Sequence, residues 1–241
     1  LTGSAAARRN IAARAGQNLK PSSLELGGSD VFIVLKDADL EHTLKWAVWG
    51  RIYNDGQTCV AAKRFIVAEE LADTFLKRFQ AALAALKPGD PMDEKTTLGP
   101  LSTESALVDL RTQVDGAVSN GATLFMGGKR IDRPGSFMEP TILTDIDPQN
   151  PAFRQEFFGP VALFFRVKDE DEAVALANDS DFGLGGSVFT KDVARGERVA
   201  SRIETGMMFV NNIDWADADL PFGGIKNSGY GRDFPAWVSR S

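Results

Sequence analysis

Apolar positions along the chain fall into two kinds of run, and the two kinds alternate. Short, mostly continuous apolar runs occupy residues 31–34, 65–67, 123–126, 141–143, 161–167, 187–189 and 207–210. Runs of that length without a polar alternation read as strands covered on both faces. Between them the apolar residues recur at helical spacing. Leu71, Phe75, Phe79, Leu83 and Leu86 form one such stripe, which Lys87-Pro88-Gly89 brings to an end. A second helix is expected from near Ser102, with Ala106, Leu110, Val114 and Val118 facing inward and Gly121 as a left-handed cap. Leu40, Leu44 and Val48 make a third stripe. Asp169 with Glu172 resembles a capping box, and Asp192 heads a helix that presents Val199 and Ile203 on one face. At the start, "LTGS" reads as a strand end running into a helix over residues 5–19.

Strand and helix alternating in this way predict an α/β fold, a largely parallel sheet flanked by helices. The shift near "ELGGSD" is a reasonable seam between a first segment, 1–25, and a body over 26–225, with a tail at 226–241. No internal repeat and no low-complexity tract interrupts the pattern. The 241 residues, 43% hydrophobic and 25% charged, are enough for one sizeable core or two modest ones, and too apolar for disorder. A net charge of −6 without a basic stripe argues against a nucleic-acid or anionic-membrane partner. A single cysteine forms no intrachain disulfide and fits a reducing cytoplasm. No apolar stretch approaches the ~20 residues of a membrane span, and the first residues lack the order of a signal peptide, so a soluble, cytoplasmic protein is expected.

The candidate chemistry is sparse. His42, the one histidine, lies off the apolar stripe of its helix and reads as a solvated residue. Without a second His or Cys, neither a Cys/His metal cluster nor a Cys-His dyad can be assembled. No metal site is expected. "GLGGSVFT" at 183–190 reads as a turn leading into a strand, whereas "LTGSAA" sits at a strand-to-helix junction where phosphate could meet backbone N–H groups, or where Ser4 is simply an N-cap. Cys59 stands in "NDGQTCVAAKR". A free cysteine usually behaves as a small buried hydrophobe. Gly56, Gln57 and Thr58 nevertheless place it at a junction between loop and regular element. If Cys59 acts as a nucleophile, its base is a carboxylate or a water. Glu25 in "LELGGSD" is flanked by leucines, and such company keeps a carboxyl partly protonated and suited to base chemistry near neutrality. The alternative is an exposed carboxylate at a strand end.

Glu25 in "LELGG", Cys59 in "NDGQTC", Glu156 and Phe158 in "QEFFGPV", and "PFGGIKNSGYGR" from Pro221 resemble, in order and spacing, the signatures of the aldehyde dehydrogenase superfamily. The match runs from "TGS" at residue 2 to Arg232. The resemblance implies that Cys59 attacks an aldehyde to give a thiohemiacetal, with hydride passing to NAD or NADP, and that Glu25 activates the water that hydrolyses the thioester. It implies cofactor contacts at Gly3, Ser4, Leu26, Glu156 and Phe158, and substrate contacts at Tyr53, Trp215 and Phe222. A cysteine thiol, which in an unstructured peptide titrates at about 8.5, must ionise to attack. A loop near a helix N-terminus with a base at hand would raise its thiolate fraction.

"AAKRFIV", "LANDSDFGLGGSVFTKD" and "DLPFGGIKNSGYGR" look like succinate-semialdehyde dehydrogenases and their relatives. Tyr53 stands at the position where some of those enzymes carry an Arg for the substrate carboxylate, and Arg51 is the nearest alternative. The resemblance further implies that residues 1–25 are the remnant of a larger cofactor domain, and that 26–225 are the catalytic domain. "DFPAWVSRS" diverges from the helix and oligomerisation strand usual in the family, whose full-length members are expected to be homo-oligomers. Two other outcomes stand beside aldehyde oxidation for this chain: cofactor-independent thiol ester hydrolysis, and a truncated product without activity.

Overall fold

The structure is a computed structural model that describes residues 1–3 and 5–233, with side chains in the first helix from Asn10 onward. In chain order the elements are α1 (Ala5–Gln17), β1 (Leu24–Glu25), β2 (Asp30–Val34), α2 (Leu40–Ile52), β3 (Ala62–Ala68), α3 (Glu69–Ala84), α4 (Glu104–Ser119), β4 (Thr123–Met126) and β5 (Thr141–Thr144). They continue with β6 (Val161–Val167), α5 (Glu170–Asn178), β7 (Phe182–Gly183), β8 (Gly186–Phe189), α6 (Val193–Ala200), β9 (Phe209–Val210), β10 (Ile225–Lys226) and β11 (Gly229–Tyr230). Seven strands form one sheet in the order β4-β5-β6-β3-β2-β8-β9, parallel throughout except for the antiparallel edge pair β4-β5. The α/β class and the parallel sheet are as the sequence pattern predicts.

Both faces of the sheet are covered, which is why its strands read as continuous apolar runs. Successive side chains of β2 go to opposite sides. Val31 and Ile33 join Leu107, Leu110 and Val114 of α4, Ala173 and Val174 of α5 and Val199 of α6. Phe32 and Val34 join Leu44 and Ala47 of α2 and Phe75, Phe79 and Leu83 of α3. That second layer is aromatic at its centre, with Phe32 stacked on Phe189 at 4.3 Å and Phe65 tilted against Phe79 at 4.8 Å. Caps close the helices where the sequence places polar residues to do so. Asp169 Oδ1 accepts from the Glu172 N–H (2.9 Å), Glu172 Oε2 from the Lys168 N–H (2.8 Å), and Asp192 Oδ1 from the Arg195 N–H (3.0 Å).

Four departures from the sequence pattern have physical causes. α4 starts after Thr103, whose hydroxyl accepts from the Ala106 N–H, so the cap is one residue later than Ser102. Its inward stripe is Leu107, Leu110, Val114 and Ala117, and Val118 is 40% exposed. Steps of four overshoot a helical turn by about 40° each, so a stripe extended only by fours drifts off the face. Gly121 does take the left-handed conformation expected of it, at φ 101°. β3 begins at Ala62 rather than residue 65, and so carries Lys63 and Arg64 inside the sheet. The two-residue strands β1, β7, β10 and β11, paired as β1-β11 and β7-β10, are too short for any periodicity to reveal.

One consequence of the parallel order decides where chemistry can sit. The segments before β2, β3, β6 and β8 all arrive at the same edge of the sheet, the edge formed by the strands' amino ends. Helices α2 and α5 deliver their carboxyl ends to that edge. Arg64 fastens the arrangement: its guanidinium donates to the Leu176 and Ala177 carbonyls at the end of α5 (3.0 and 2.8 Å) and to the Ser29 carbonyl ahead of β2 (2.9 Å). A cation at a helix carboxyl end is favoured both by the free carbonyls and by the helix dipole.

Candidate active site

Cys59 reaches the amino edge of the sheet through an unusual turn. After α2, the residues Asn54, Asp55 and Gly56 all adopt left-handed conformations, with φ of 51°, 56° and 78°. Asn, Asp and Gly tolerate that region better than other residues. Their side chains also hold the neighbouring loop. Asp55 Oδ1 accepts from the Gly99 N–H (2.6 Å), Gln57 Oε1 from the Ser102 N–H (2.7 Å), and Asn54 Nδ2 donates to the Gln57 carbonyl (3.0 Å). At Gly56 a Cβ would collide with the Gly159 carbonyl and the Arg51 guanidinium. Cys59 follows in a turn closed by the Ala61 N–H on the Thr58 carbonyl (3.1 Å), half-buried, directly before β3.

The helix N-terminus near this loop is that of α4, where Gln57 Oε1 accepts from the Ser102 N–H one residue ahead of the Thr103 cap. The helix that precedes Cys59, α2, presents its carboxyl end, and the helix after β3 starts at the far edge. Burial pushes the Cys59 thiol above its usual range, and the Asp30 and Glu156 carboxylates add to the effect. Lys63 opposes them. Its ammonium, fully buried, donates to the Cys59 carbonyl (2.8 Å) and the Thr58 carbonyl (3.0 Å) and lies 3.5 Å from Glu156 Oε1. Lys63 and the Val60 N–H therefore favour the thiolate against burial and the two carboxylates.

Across the site, Glu25 belongs to β1, whose partner β11 comes from the glycine-rich segment after Pro221. Glu25 is 5% exposed and neither carboxylate oxygen has a hydrogen-bond partner among the described residues. Burial first, and the Asp233 charge second, raise its pKa to about 7, against the opposing pull of Arg232. The reading of Glu25 as an exposed strand-end carboxylate is thereby excluded. Space beside it is kept by Gly223, at φ 156°, where a Cβ would stand 2.8 Å from Glu25 Oε1. Glu156 lies on another wall, with its Oε1 accepting from the Gly28 N–H (3.0 Å) and its backbone carbonyl held by Gln113 Nε2 (3.0 Å). That carboxylate occupies the place a side chain on Gly27 would take.

Cys59 and Glu25 line one cavity of about 950 Å³. Gly3, Leu26, Tyr53, Glu156 and Phe158 line it with them. Thr2, Gly27, Asn54, Gln57 and Thr58 complete the lining, and nothing in their residue types sets them apart in the sequence. Ser4 lies outside the described residues. Trp215 and Phe222 do not line this cavity. Trp215 instead borders a neighbouring one of about 670 Å³ with Trp46, Trp49 and Leu220, and a chain of rings, Tyr53 on Trp49 at 4.5 Å and Trp49 to Trp215 at 5.9 Å, joins the two. Phe222 is committed through its backbone to Asp233, with both N–H···O distances 2.7 Å. Arg51 is fully buried and donates to the Gly56 carbonyl (2.8 Å), so it faces the turn and not a substrate. His42 is exposed as expected, its Nε2 2.9 Å from the Asn211 carbonyl. Among the described residues no group of three or more His, Cys, Asp or Glu could hold a metal ion, and no helix is long and apolar enough to cross a membrane.

A half-buried thiol and a buried carboxyl with a pKa of about 7 line one cavity on an α/β scaffold, and residues 1–240 match the aldehyde dehydrogenase family. The chain belongs to that family. It is 53% identical over 233 residues to the NADP(+) succinate-semialdehyde dehydrogenase of Deinococcus radiodurans, covering 97% of this chain and 49% of that protein. The structure of the succinic semialdehyde dehydrogenase from Streptococcus pyogenes in complex with NADP+ superposes with a TM-score of 0.95 at 46% identity, over 97% of this chain and 51% of that one. The betaine aldehyde dehydrogenase of Staphylococcus aureus in complex with NAD+ gives a TM-score of 0.95 at 35% identity, over 98% of this chain and 48% of that one. The chain thus spans about half the length of the curated relatives it matches.

Proposed function

We propose that this chain carries the acyl-transfer half of an NAD(P)-dependent aldehyde dehydrogenase, with succinate semialdehyde as the substrate. The observation that carries the reading is the pairing of Cys59 with Glu25 across one cavity, the latter with a pKa of about 7 and no internal partner. The similarity to succinate-semialdehyde dehydrogenases supports the choice of substrate. In the first step the Cys59 thiolate adds to the aldehyde carbon and forms a thiohemiacetal. Nicotinamide, when bound, would supply the acceptor for the hydride lost from that carbon, and the thioester would stay on Cys59. Glu25, as carboxylate, then takes a proton from water as the water oxygen adds to the thioester carbon. Collapse releases the carboxylic acid and returns the Cys59 thiolate.

The residues present fit one end of a dinucleotide. Glu156 offers an acceptor at the cavity wall for ribose hydroxyls, Phe158 offers a ring that is 46% exposed, and Gly3 offers a backbone free of side chain. Whether NAD or NADP is used turns on the adenosine ribose, and none of these residues is assigned to it. Cofactor-independent ester hydrolysis by the same Cys59 and Glu25 is the second reading, favoured by the confinement of the assigned contacts to the nicotinamide end. Reduced-cofactor formation from succinate semialdehyde supports the first reading and ester turnover without cofactor the second. Cys59→Ala should abolish both, and turnover that survives it would remove Cys59 as the nucleophile. Glu25→Gln should leave an acyl adduct on Cys59 visible by mass spectrometry, with its release slowed ~100-fold or more.

A further inference from the structure

Beneath the cavity lies a set of buried charged groups that touch neither the aldehyde carbon nor the attacking water in the proposed reaction. Lys63, at the start of β3, is the one that touches both sides of the site. Its three ammonium protons have three partners: the Thr58 carbonyl (3.0 Å), the Cys59 carbonyl (2.8 Å) and, at 3.5 Å, Glu156 Oε1. No part of the side chain is exposed. Taking an ammonium out of water is costly, and an apolar side chain of the same length would fill the space without that cost. The charge therefore calls for a reason other than packing. Two of its partners belong to the loop that carries the nucleophile, and the third reaches the cavity from the segment before β6.

We propose that Lys63 is a positioning residue for the acyl-transfer step, tying the Thr58 and Cys59 carbonyls to the Glu156 carboxylate so that the nucleophile loop and the cofactor-facing wall keep one fixed separation. This rests on the reading of Cys59 as nucleophile and Glu156 as a cofactor contact. Other charges also face the pair. The Cys59 thiol feels Lys63 from β3, Asp30 from β2 and Glu156, and Lys63 feels Glu156, Asp30 and Arg51 of α2. Burial raises the pKa of Asp30, burial together with Asp30 raises that of Asp214, and Lys63 is a cation common to Asp30 and Glu156.

The test follows alkylation of Cys59 by iodoacetamide against pH in the 241-residue chain, with the adduct measured by mass spectrometry. Lys63→Met should move the midpoint upward and slow alkylation at pH 8 by roughly 5–10-fold, because one pKa unit is tenfold in thiolate below the midpoint. Glu156→Gln should move it downward and speed alkylation roughly 2–3-fold. In the double variant the effect of Lys63→Met should shrink by roughly threefold or more, since its anchor on the far wall is already gone. A loss of packing alone would not give opposite signs. An unmoved midpoint in folded Lys63→Met, or effects that simply multiply in the double variant, would overturn the proposal. If Lys63→Met does not fold, Glu156→Gln decides, and a midpoint that stays or rises there overturns it. Alkylation reads the thiol with or without turnover, so failure of the catalytic reading, seen as activity in Cys59→Ala, remains separate from failure of this one.

Discussion

Glu25 makes the clearest demand at the scale of single residues. Its pKa of about 7 means that the carboxyl is largely protonated at pH 6 and largely ionised at pH 8. When deacylation limits turnover, the rate should rise through a midpoint near 7, and Glu25→Gln should lose that limb of the profile. The same shift acts on stability with the opposite sense. The folded pKa lies above the unfolded value of 4.5, so the native state holds a proton that the unfolded chain releases between about pH 4.5 and 7. The protonated carboxyl thus favours folding at low pH, and this contribution is lost as pH rises through 7. Discounting for solvent that reaches the carboxyl from the cavity, the loss is about 1–2 kcal/mol. Urea midpoints at pH 5 and pH 8 should differ by less in Glu25→Gln than in the parent chain. Glu25 could be picked out in the sequence because leucines flank it, and Cys59 because a turn precedes it. Lys63 and Arg64 could not. Two adjacent cations at the head of an apolar run look solvated, and the carbonyls that receive Arg64 come from residues 35 to 113 positions away.

At the scale of elements, the turn from Asn54 to Gly56 leads into Cys59, and Gly56 is its least replaceable member. Gly56→Ala would meet both the left-handed strain at φ 78° and the collision with Gly159 and Arg51. A destabilisation of at least ~2 kcal/mol is expected, read as a lower urea midpoint at unchanged slope. Alkylation of Cys59 should change in rate in the same variant, because the turn also seats Asp55 on Gly99 and Gln57 on Ser102. The long elements were legible because helical and strand periods need several residues to declare themselves, as in α3 with Phe75, Phe79 and Leu83. The two-residue strands that place Glu25 were not. The partner that sets the register of β1 is β11, far along the chain.

At the scale of the whole molecule, the site occupies the amino edge of the parallel strands, whereas ligands on open α/β sheets usually lie beyond the carboxyl ends. Helices α2 and α5 point their carboxyl ends toward it, and Arg64 is the buried cation that answers α5. Cofactor affinity should show the same one-sidedness. Both halves of a dinucleotide must be held together for tight binding, since each raises the effective concentration of the other. In the proposed assignment Gly3, Glu156 and Phe158 serve one end, so calorimetry on the 241-residue chain should find NAD and NADP binding on the order of millimolar or weaker. Tight binding of either would show that this chain grips more of the molecule than these residues do.

The strand order also sets a sequence of events in time. β3, which follows Cys59, lies between β2 and β6, and β6 arrives only after α3, α4, β4 and β5 have been passed along the chain. Parallel pairings between such distant segments form slowly, because the loop entropy is lost before the contacts repay it. Until β6 docks, Glu156 has no place beside Lys63, and the thiol should be more open to alkylation than in the native chain. A pulse of iodoacetamide during refolding would therefore time the closing of the sheet, with the chain's single cysteine serving as the clock.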